Sequence, residues 1–404
     1  MYYDNLFINE TKKLYQYITD IKSSYKIKKY IHYEFIDLLN LINLDYNLVN
    51  YTFLDTISCI PKLMKKFKIN NIDELENKIS SMQVSINEII DCSDLFQSIK
   101  DNNKRKILNN IYDNKFLPLK IIEWIEKCNL YFLLTWDNIK VHIINNSEIN
   151  TEYINQIVLI IKWILNIANK QNINLDIFIY LSDIKKILPS MCLHKNNTCS
   201  LNSIHINSGV SWFTHWIQIF RKEELFKVLI HELIHYLKLD VNEYSNLLDS
   251  KCSHININYK SNKILINEAY TEMFAIYLHT LYVSKYIANK QNIDFKDIFW
   301  NLYIDEEKFT IYQINKIFQN YNISDLSFFK KSNNFIQYTN VISYYIIKYL
   351  FFINTKYFIK NYNNKKMLVK IICYLLEKFY SLKINKYTTI NDFSLRMSLY
   401  QLNC

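Results

Sequence analysis

A chain of 404 residues with one glycine and three prolines has few points at which its backbone can break or reverse. Glycine and proline are the strongest local punctuators of secondary structure, so their scarcity predicts a mainly helical protein. Half of the residues are hydrophobic, enough to bury a large core and to fill more than one domain.

His231 to His235 read H-E-L-I-H. On a helix, positions i and i+4 lie one above the other, so two imidazole nitrogens can meet a single metal ion. Glu232 projects roughly 100° round the axis from His231, which suits a base that reaches a water rather than the metal. This pattern on a helix is the active-site signature of zinc-dependent peptidases. The flanks agree: Arg221 to Leu239 contains no breaker and many good helix formers. Leu225, Val228, Leu229 and the stretch to Leu237 form an apolar stripe that predicts burial. Glu223 and Glu224 near the start and Lys238 near the end match the helix dipole.

A zinc peptidase site needs a third protein ligand. The extended pattern H-E-x-x-H-x-x-G-x-x-H is excluded, because Lys238 stands at the glycine and Val241 at the last histidine. Downstream, Asn267 to Ala275 reads N-E-A-Y-T-E-M-F-A and continues as a helical segment. Glu268 and Glu272 are four apart on one face, so both can point at the first helix. An acidic pair is also common on a solvated helix face.

H-E-L-I-H followed by N-E-A-Y-T-E resembles the gluzincin zinc metallopeptidases, the group that includes thermolysin. The resemblance covers residues 200 to 280. It implies that His231, His235 and Glu268 bind Zn2+ and that Glu272 supports a ligand histidine. The family has an aspartate at that last position, one methylene shorter. It further implies peptide-bond hydrolysis by a metal-activated water, with Glu232 as general base and an endopeptidase as the expected class. The oxyanion donor in such enzymes comes from the domain after the ligand helix. Tyr344 and Tyr345, in V-I-S-Y-Y-I-I-K-Y-L, are the candidates among 33 tyrosines, packed helix aromatics being the ordinary alternative.

Zincins also present an edge strand to which the substrate backbone adds. Ser203 to Ser211 reads S-I-H-I-N-S-G-V-S, just upstream of the motif, and Ile204, Ile206 and Val210 suggest that strand. His205, Asn207 and Gly209 are then the residues placed to touch substrate. Gly209 is the only glycine in the chain. It marks a backbone need, either a bulge or a close substrate approach, unless it serves an ordinary turn.

The remaining pattern suits the same domain. Lys140 to Ile144 and Leu175 to Leu181 read as strands. Tyr153 to Ala168 reads as an apolar helix, and Pro189 is expected to stop a short helix over I-K-K-I-L. Thr11 to Ile21, His32 to Ile42 and Leu117 to Tyr131 read as helices. The expected fold class is mainly α with a small mixed β-sheet, an α+β architecture. Residues 1–135 form a helical N-terminal region that serves as pro-segment, platform or interaction domain. Residues 136–284 form a zincin-like catalytic domain, and by the resemblance residues 285–404 form a helical domain closing the cleft.

Other classes are argued against. The net charge is +10, but the lysines are spread, with no basic block interleaved with aromatics, so no nucleic acid is expected. The start M-Y-Y-D-N-L-F lacks signal-peptide character. Lys162 and Lys348 interrupt the two longest apolar runs, so no membrane span is expected. Eight cysteines without a signal peptide point to free thiols in a reducing, cytoplasmic compartment. Cys192, His194 and Cys199 carry only a weak metal or disulfide pattern. The abundance of asparagine, isoleucine, lysine and tyrosine follows AT-rich codons, which fit a large DNA virus, a microsporidian or an AT-rich protist; the expectation is a large DNA virus, and host cytoplasm or virion as the location if the protein is viral. The partner expected is a peptide or protein substrate. The competing reading is a catalytically silent structural or interaction protein that keeps a peptidase fold.

Overall fold

A six-stranded mixed sheet carries the elements around the H-E-L-I-H segment. The structure is a computed structural model. It describes residues 4–21, 52–55, 117–128, 130–170, 172–188, 201–212, 215–252, 264–321, 323–327, 329, 338–384 and 392–403. The strands are β1 (Thr52–Asp55), β2 (Leu130–Trp136), β3 (Ile139–Asn145), β4 (Leu175–Tyr180), β5 (Gly209–Trp212) and β6 (Trp216–Ile219). Their spatial order is β1-β2-β3-β4-β6-β5. The β3–β4 and β4–β6 pairs are parallel and the others antiparallel, which leaves β5 at one edge.

The helices follow the same chain order: α1 (Asn9–Gln16), α2 (Leu119–Lys127), α3 (Thr151–Ile167), α4 (Ser203–Ile206), α5 (Leu225–Tyr236), α6 (Ser245–Cys252) and α7 (Ile266–Gln291). Then come α8 (Phe295–Asn320), a π-helical turn Ile342–Ile347 that runs into α9 (Lys348–Phe352), α10 (Thr355–Ile359) and α11 (Lys365–Glu377). The architecture is mainly α with one small mixed sheet, an α+β fold.

The sheet is covered on both faces. The inner parallel strand β4 buries residues of both parities, as a strand between two layers must. On one side α2 sets Ile121 and Ile125 against Ile144, Phe178 and Tyr180. On the other side lies the main core, one continuous apolar cluster that runs from Phe7 to Leu402. There α3, started by the Asn150 side chain accepting from the Glu152 N–H, packs on α5. The α5 helix packs in turn on α7. The helices α7 and α8, 26 residues each, form a hairpin, with Asn292 at φ 53° closing the first and Asp294 capping the second. No helix among the described residues is long and apolar enough to cross a membrane. The buried Cys128 thiol donates to the Trp124 carbonyl.

The C-terminal segment 392–403 runs through the interior. Its backbone N–H groups are met by buried carboxylates: Glu224 accepts from Met397 and Ser398, and Glu306 accepts from Leu399 and Tyr400. Buried donors require such partners. Phe7 bridges Leu402, and the Thr11 hydroxyl donates to the Leu399 carbonyl, so the N-terminal turn packs on the same segment.

Several local expectations change. The I-K-K-I-L stretch is not a helix. Leu188 N–H donates to the Phe393 carbonyl and Leu395 N–H to the Lys186 carbonyl, so the C-terminal segment takes the groups that a helix would have used. Pro189 lies outside the described residues, as do His32 to Ile42, Cys192, His194 and Cys199. Ser203 to Ile206 is a helical turn rather than part of the edge strand. The Asn202 side chain caps it by accepting from the Ile204 N–H, and the strand begins only at Gly209. The N-terminal helix stops at Gln16, short of Ile21, and α2 ends at Lys127, where the chain turns to enter β2. The boundary expected after residue 135 falls within β2.

Candidate metal centre

The α5 helix owes its position to its apolar residues and its chemistry to three polar ones. Leu225, Leu229, Ile230, Leu233 and Ile234 are buried. Lys227, His231 and His235 follow one another at steps of four, so they form a single polar line facing α7. The helix is closed by Lys238, which takes a left-handed conformation at φ 56°. Lys238 N–H then donates to the His235 carbonyl and Leu239 N–H to the Ile234 carbonyl. For a residue other than glycine this costs roughly 1–2 kcal/mol. The reversal has a use: it returns Asp240 to His235, with Oδ2 2.6 Å from Nδ1.

Glu223 and Glu224 do not complement the helix start as the sequence suggested. The first turn holds no acidic residue, and Glu224, at φ 59°, makes no side-chain cap. Its carboxylate instead takes the buried Lys186 ammonium and the Met397 and Ser398 N–H groups.

Three ligand atoms converge. His231 Nε2 and His235 Nε2 are 3.2 Å apart, His235 Nε2 and Glu268 Oε2 3.3 Å, and His231 Nε2 and Glu268 Oε2 3.5 Å. Tetrahedral zinc with bonds of about 2.0–2.1 Å would hold its ligand atoms about 3.3 Å apart. The triangle therefore has the dimensions of one face of such a site, and it is the metal-competent group found among the described residues. The opposite ring nitrogens face carboxylates: His235 Nδ1 faces Asp240, and His231 Nδ1 lies 2.9 Å from Glu272 Oε2. Placing the Nδ1 protons toward those carboxylates leaves two Nε2 lone pairs and one carboxylate oxygen turned at one point, an arrangement that calls for a cation.

The electrostatics support that charge pattern. Burial pulls the Glu268 carboxyl up, but the two imidazoles hold it well below the usual carboxylate range. Burial likewise raises Glu272, yet the Lys227 ammonium and His231 keep it low. Lys227 donates to Glu272 Oε1 at 2.8 Å, and both side chains are buried. Glu232 behaves differently: burial lifts it above the usual range against the pull of His231 and His235.

Gly209 accounts for the position of Glu232. A Cβ on Gly209 would lie 2.8 Å from Glu232 Oε1, 2.8 Å from Val228 Cγ1 and 2.9 Å from Glu232 Cγ. Such contacts are closer than packing allows, so only glycine lets β5 approach α5 this tightly. The backbone need read from the sequence is thus close approach by the α5 side chains, not a bulge. Ser211, two residues on, sits beside Glu232 and draws its carboxyl down against the effect of burial.

Tyr344 donates to Glu268 Oε2 at 3.1 Å, and its ring stands edge-on to His231 at 6.2 Å. Burial and the nearby Glu268 and Glu232 carboxylates push its phenol well above the usual range, so it stays a donor. Tyr345 is a correction. As the next residue along the helical turn it projects to a different side from Tyr344, and its hydroxyl donates to the Leu395 carbonyl, away from the ligand triangle. His205 is a second correction: its Nδ1 accepts from the Asn202 N–H in the capping of α4, and it does not line the cleft. Asn207 does line it, with its side-chain oxygen accepting from the Thr339 hydroxyl at 2.8 Å. The cleft, of about 760 Å³, is bordered by Gly209, His231, Glu232, His235, Glu268 and Tyr344.

Two participants escaped the sequence reading. Lys227 carried a signal, a lysine one turn before His231 inside an apolar run. Asp240 carried almost none, since its return depends on the conformation of Lys238.

No known protein family and no solved structure matches the chain. An uncharacterised protein of Acanthamoeba polyphaga mimivirus is 24% identical over 329 residues, covering 74% of this chain and 81% of that protein.

Proposed function

We propose that the chain is a zinc-dependent metallopeptidase of gluzincin type, an endopeptidase, and a viral protein. The observation that carries the first part is the triangle of His231 Nε2, His235 Nε2 and Glu268 Oε2, with edges of 3.2, 3.3 and 3.5 Å. A proton alone does not require three ligand atoms at these spacings with a carboxylate behind each ring. The mimivirus relative supports a viral source.

Bound Zn2+ would supply Lewis acidity, lowering the pKa of a water and polarising the scissile carbonyl. The chain's own residues do the rest. Asp240 and Glu272 orient the two rings. Glu232, kept basic by burial and fixed between Gly209 and Ser211, takes a proton from water during attack and gives it to the leaving amine. Tyr344 stays protonated and offers its O–H to the developing oxyanion. Its hydroxyl donates to Glu268, at the edge of the ligand triangle, which supports that role.

The test is metal analysis with one variant. About one zinc per chain is expected, and Glu232→Gln should keep it while losing cleavage of a peptide mixture. Zinc-free protein from zinc-supplemented medium, or unchanged cleavage by Glu232→Gln, would overturn the reading. Zinc held without any cleavage by the unaltered chain would favour the silent-fold alternative.

A further inference from the structure

We propose that a small pocket beside Glu232 takes the side chain of the substrate residue whose amine leaves, and that it selects a short side chain that accepts hydrogen bonds, of asparagine or aspartate size. The proposal rests on the peptidase reading. The pocket holds about 30 Å³ and borders His231, Glu232 and Tyr344, but neither His235 nor Glu268. It therefore lies on the side of the general base. The base returns its proton to the leaving amine, so the residue bearing that amine is the one set over the pocket.

Size limits what can enter. A volume of about 30 Å³ holds about two water molecules, so a carboxylate or amide head fits and an aromatic ring does not. The wall then decides chemistry. Ser208 lines the pocket, is only 5% exposed, and its hydroxyl has no hydrogen-bond partner among the described residues. Lys186 and Lys227 also line it and are buried. Each ammonium carries three donors. Lys186 gives one to Glu224; Lys227 gives one to Glu272 and touches Met397 Sδ at 3.8 Å. Lys227 donates to one oxygen of Glu272, and His231 Nδ1 lies 2.9 Å from the other. Beside these carboxylates the wall offers the Ser208 hydroxyl and the remaining ammonium hydrogens as donors. An apolar side chain would leave the Ser208 hydroxyl and the spare ammonium hydrogens without a partner from the substrate, whereas a carbonyl or carboxylate oxygen would satisfy them.

Leucine, asparagine and aspartate share one branching pattern and nearly one size, so they separate hydrogen bonding from fit. The experiment uses zinc-loaded full-length Glu232→Gln protein and three peptides that differ only in carrying leucine, asparagine or aspartate after a fixed bond. Calorimetry should show the asparagine and aspartate peptides bound at least tenfold tighter than the leucine peptide. Ser208→Ala in the same background should shrink that ratio. Equal binding of all three, or tighter leucine binding, overturns the pocket. Cleavage mapping by the unaltered chain on a mixed peptide library gives the second readout, with asparagine or aspartate expected after the cut. Cleavage with leucine or phenylalanine enriched there, or with no preference, overturns the pocket and leaves the peptidase reading standing. Tenfold selective binding without any cleavage sustains the pocket's choice of side chain but sinks the peptidase reading, and with it the assignment to the residue whose amine leaves. No binding of any peptide sinks both.

Discussion

The two faces of α5 are fixed by opposite means. The face toward α7 is held by charge: Lys227, His231 and His235 each meet a carboxylate, from Glu272, Glu268 and Asp240. The face toward β5 is held by the absence of a side chain, where Gly209 lets the strand settle against Val228 and Glu232. The metal ligands lie on the first face and the base on the second. Charge fixes where a cation can sit, while close packing fixes where the proton acceptor stands. Damage to the two faces should therefore separate, one losing metal and the other losing rate.

The largest effect is expected on the charged face. Glu272→Ala strips Lys227 of its partner inside the core, and an uncompensated buried charge costs about 3–5 kcal/mol. His231 loses its orienting carboxylate in the same step, so zinc retention should fall with stability. Urea denaturation and metal analysis check both. Adding Lys227→Met should recover most of the stability but not the zinc. Recovery of both would mean that Glu272 serves only to neutralise Lys227.

On the packed face, Gly209→Ala should keep zinc and lose turnover. The added methyl must push Glu232 or Val228 aside, and displacement of a reacting group by about 1 Å can cost roughly a hundredfold. The expected result is a fall in kcat at nearly constant zinc content. Loss of zinc in this variant would show that the two faces are not independent.

Asp240→Asn is milder, and it isolates the local support from the distant one. The amide keeps the shape but loses the charge that orients His235. Loss of such a supporting group lowers metal affinity by about 10- to 100-fold. Asp240 follows α5 closely and pairs with no buried lysine among the described residues, so stability should change far less than in Glu272→Ala. Chelator competition measures the first quantity and urea denaturation the second.

The same contrast explains what could be read in the sequence. His231, Glu232 and His235 were legible because helical spacing alone puts them in register. Glu268 and Glu272 were legible because their spacing repeats that logic on a second helix. The strands β3 and β4 and the helix α3 stood out as apolar runs of the right length and period. Gly209 was legible as a constraint but not as a contact, since no pattern says which side chain will approach a glycine. Asp240 was hidden behind the left-handed turn at Lys238, a conformation that lysine does not advertise. The I-K-K-I-L stretch misled because its partner, the segment 392–403, lies some two hundred residues away in the chain. Tyr344 and Tyr345 could not be told apart, because neighbouring tyrosines on a helix differ only in what the fold sets beside each.

A third histidine sharpens the comparison from outside the metal centre. His279 lies on α7, one face of which carries Glu268 and Glu272, and it is buried with its Nδ1 unpartnered. Burial and then the Lys227 ammonium depress it to about 3, whereas neighbouring carboxylates raise His231 and His235. The unfolded chain would bind a proton on this histidine near pH 6.5, well before the folded chain does. Its contribution to stability is therefore full above pH 6.5 and is lost as pH falls toward 3, at up to about 1.4 kcal/mol per unit. In that window the metal-free His231 and His235 are protonated both folded and unfolded, so they add no slope below about pH 5.5. The depressed carboxylates Glu224 and Glu272 begin to contribute only nearer pH 4.5. Between pH 6 and pH 5 the raised carboxyls of Glu306 and Glu232 add stability and oppose His279. His279→Gln should therefore lose about 1 kcal/mol less than the unaltered metal-free protein over that interval in urea denaturation, since the two carboxyls act alike in both. An equal slope in both proteins would mean that neither burial nor the Lys227 ammonium depresses His279 in the folded chain.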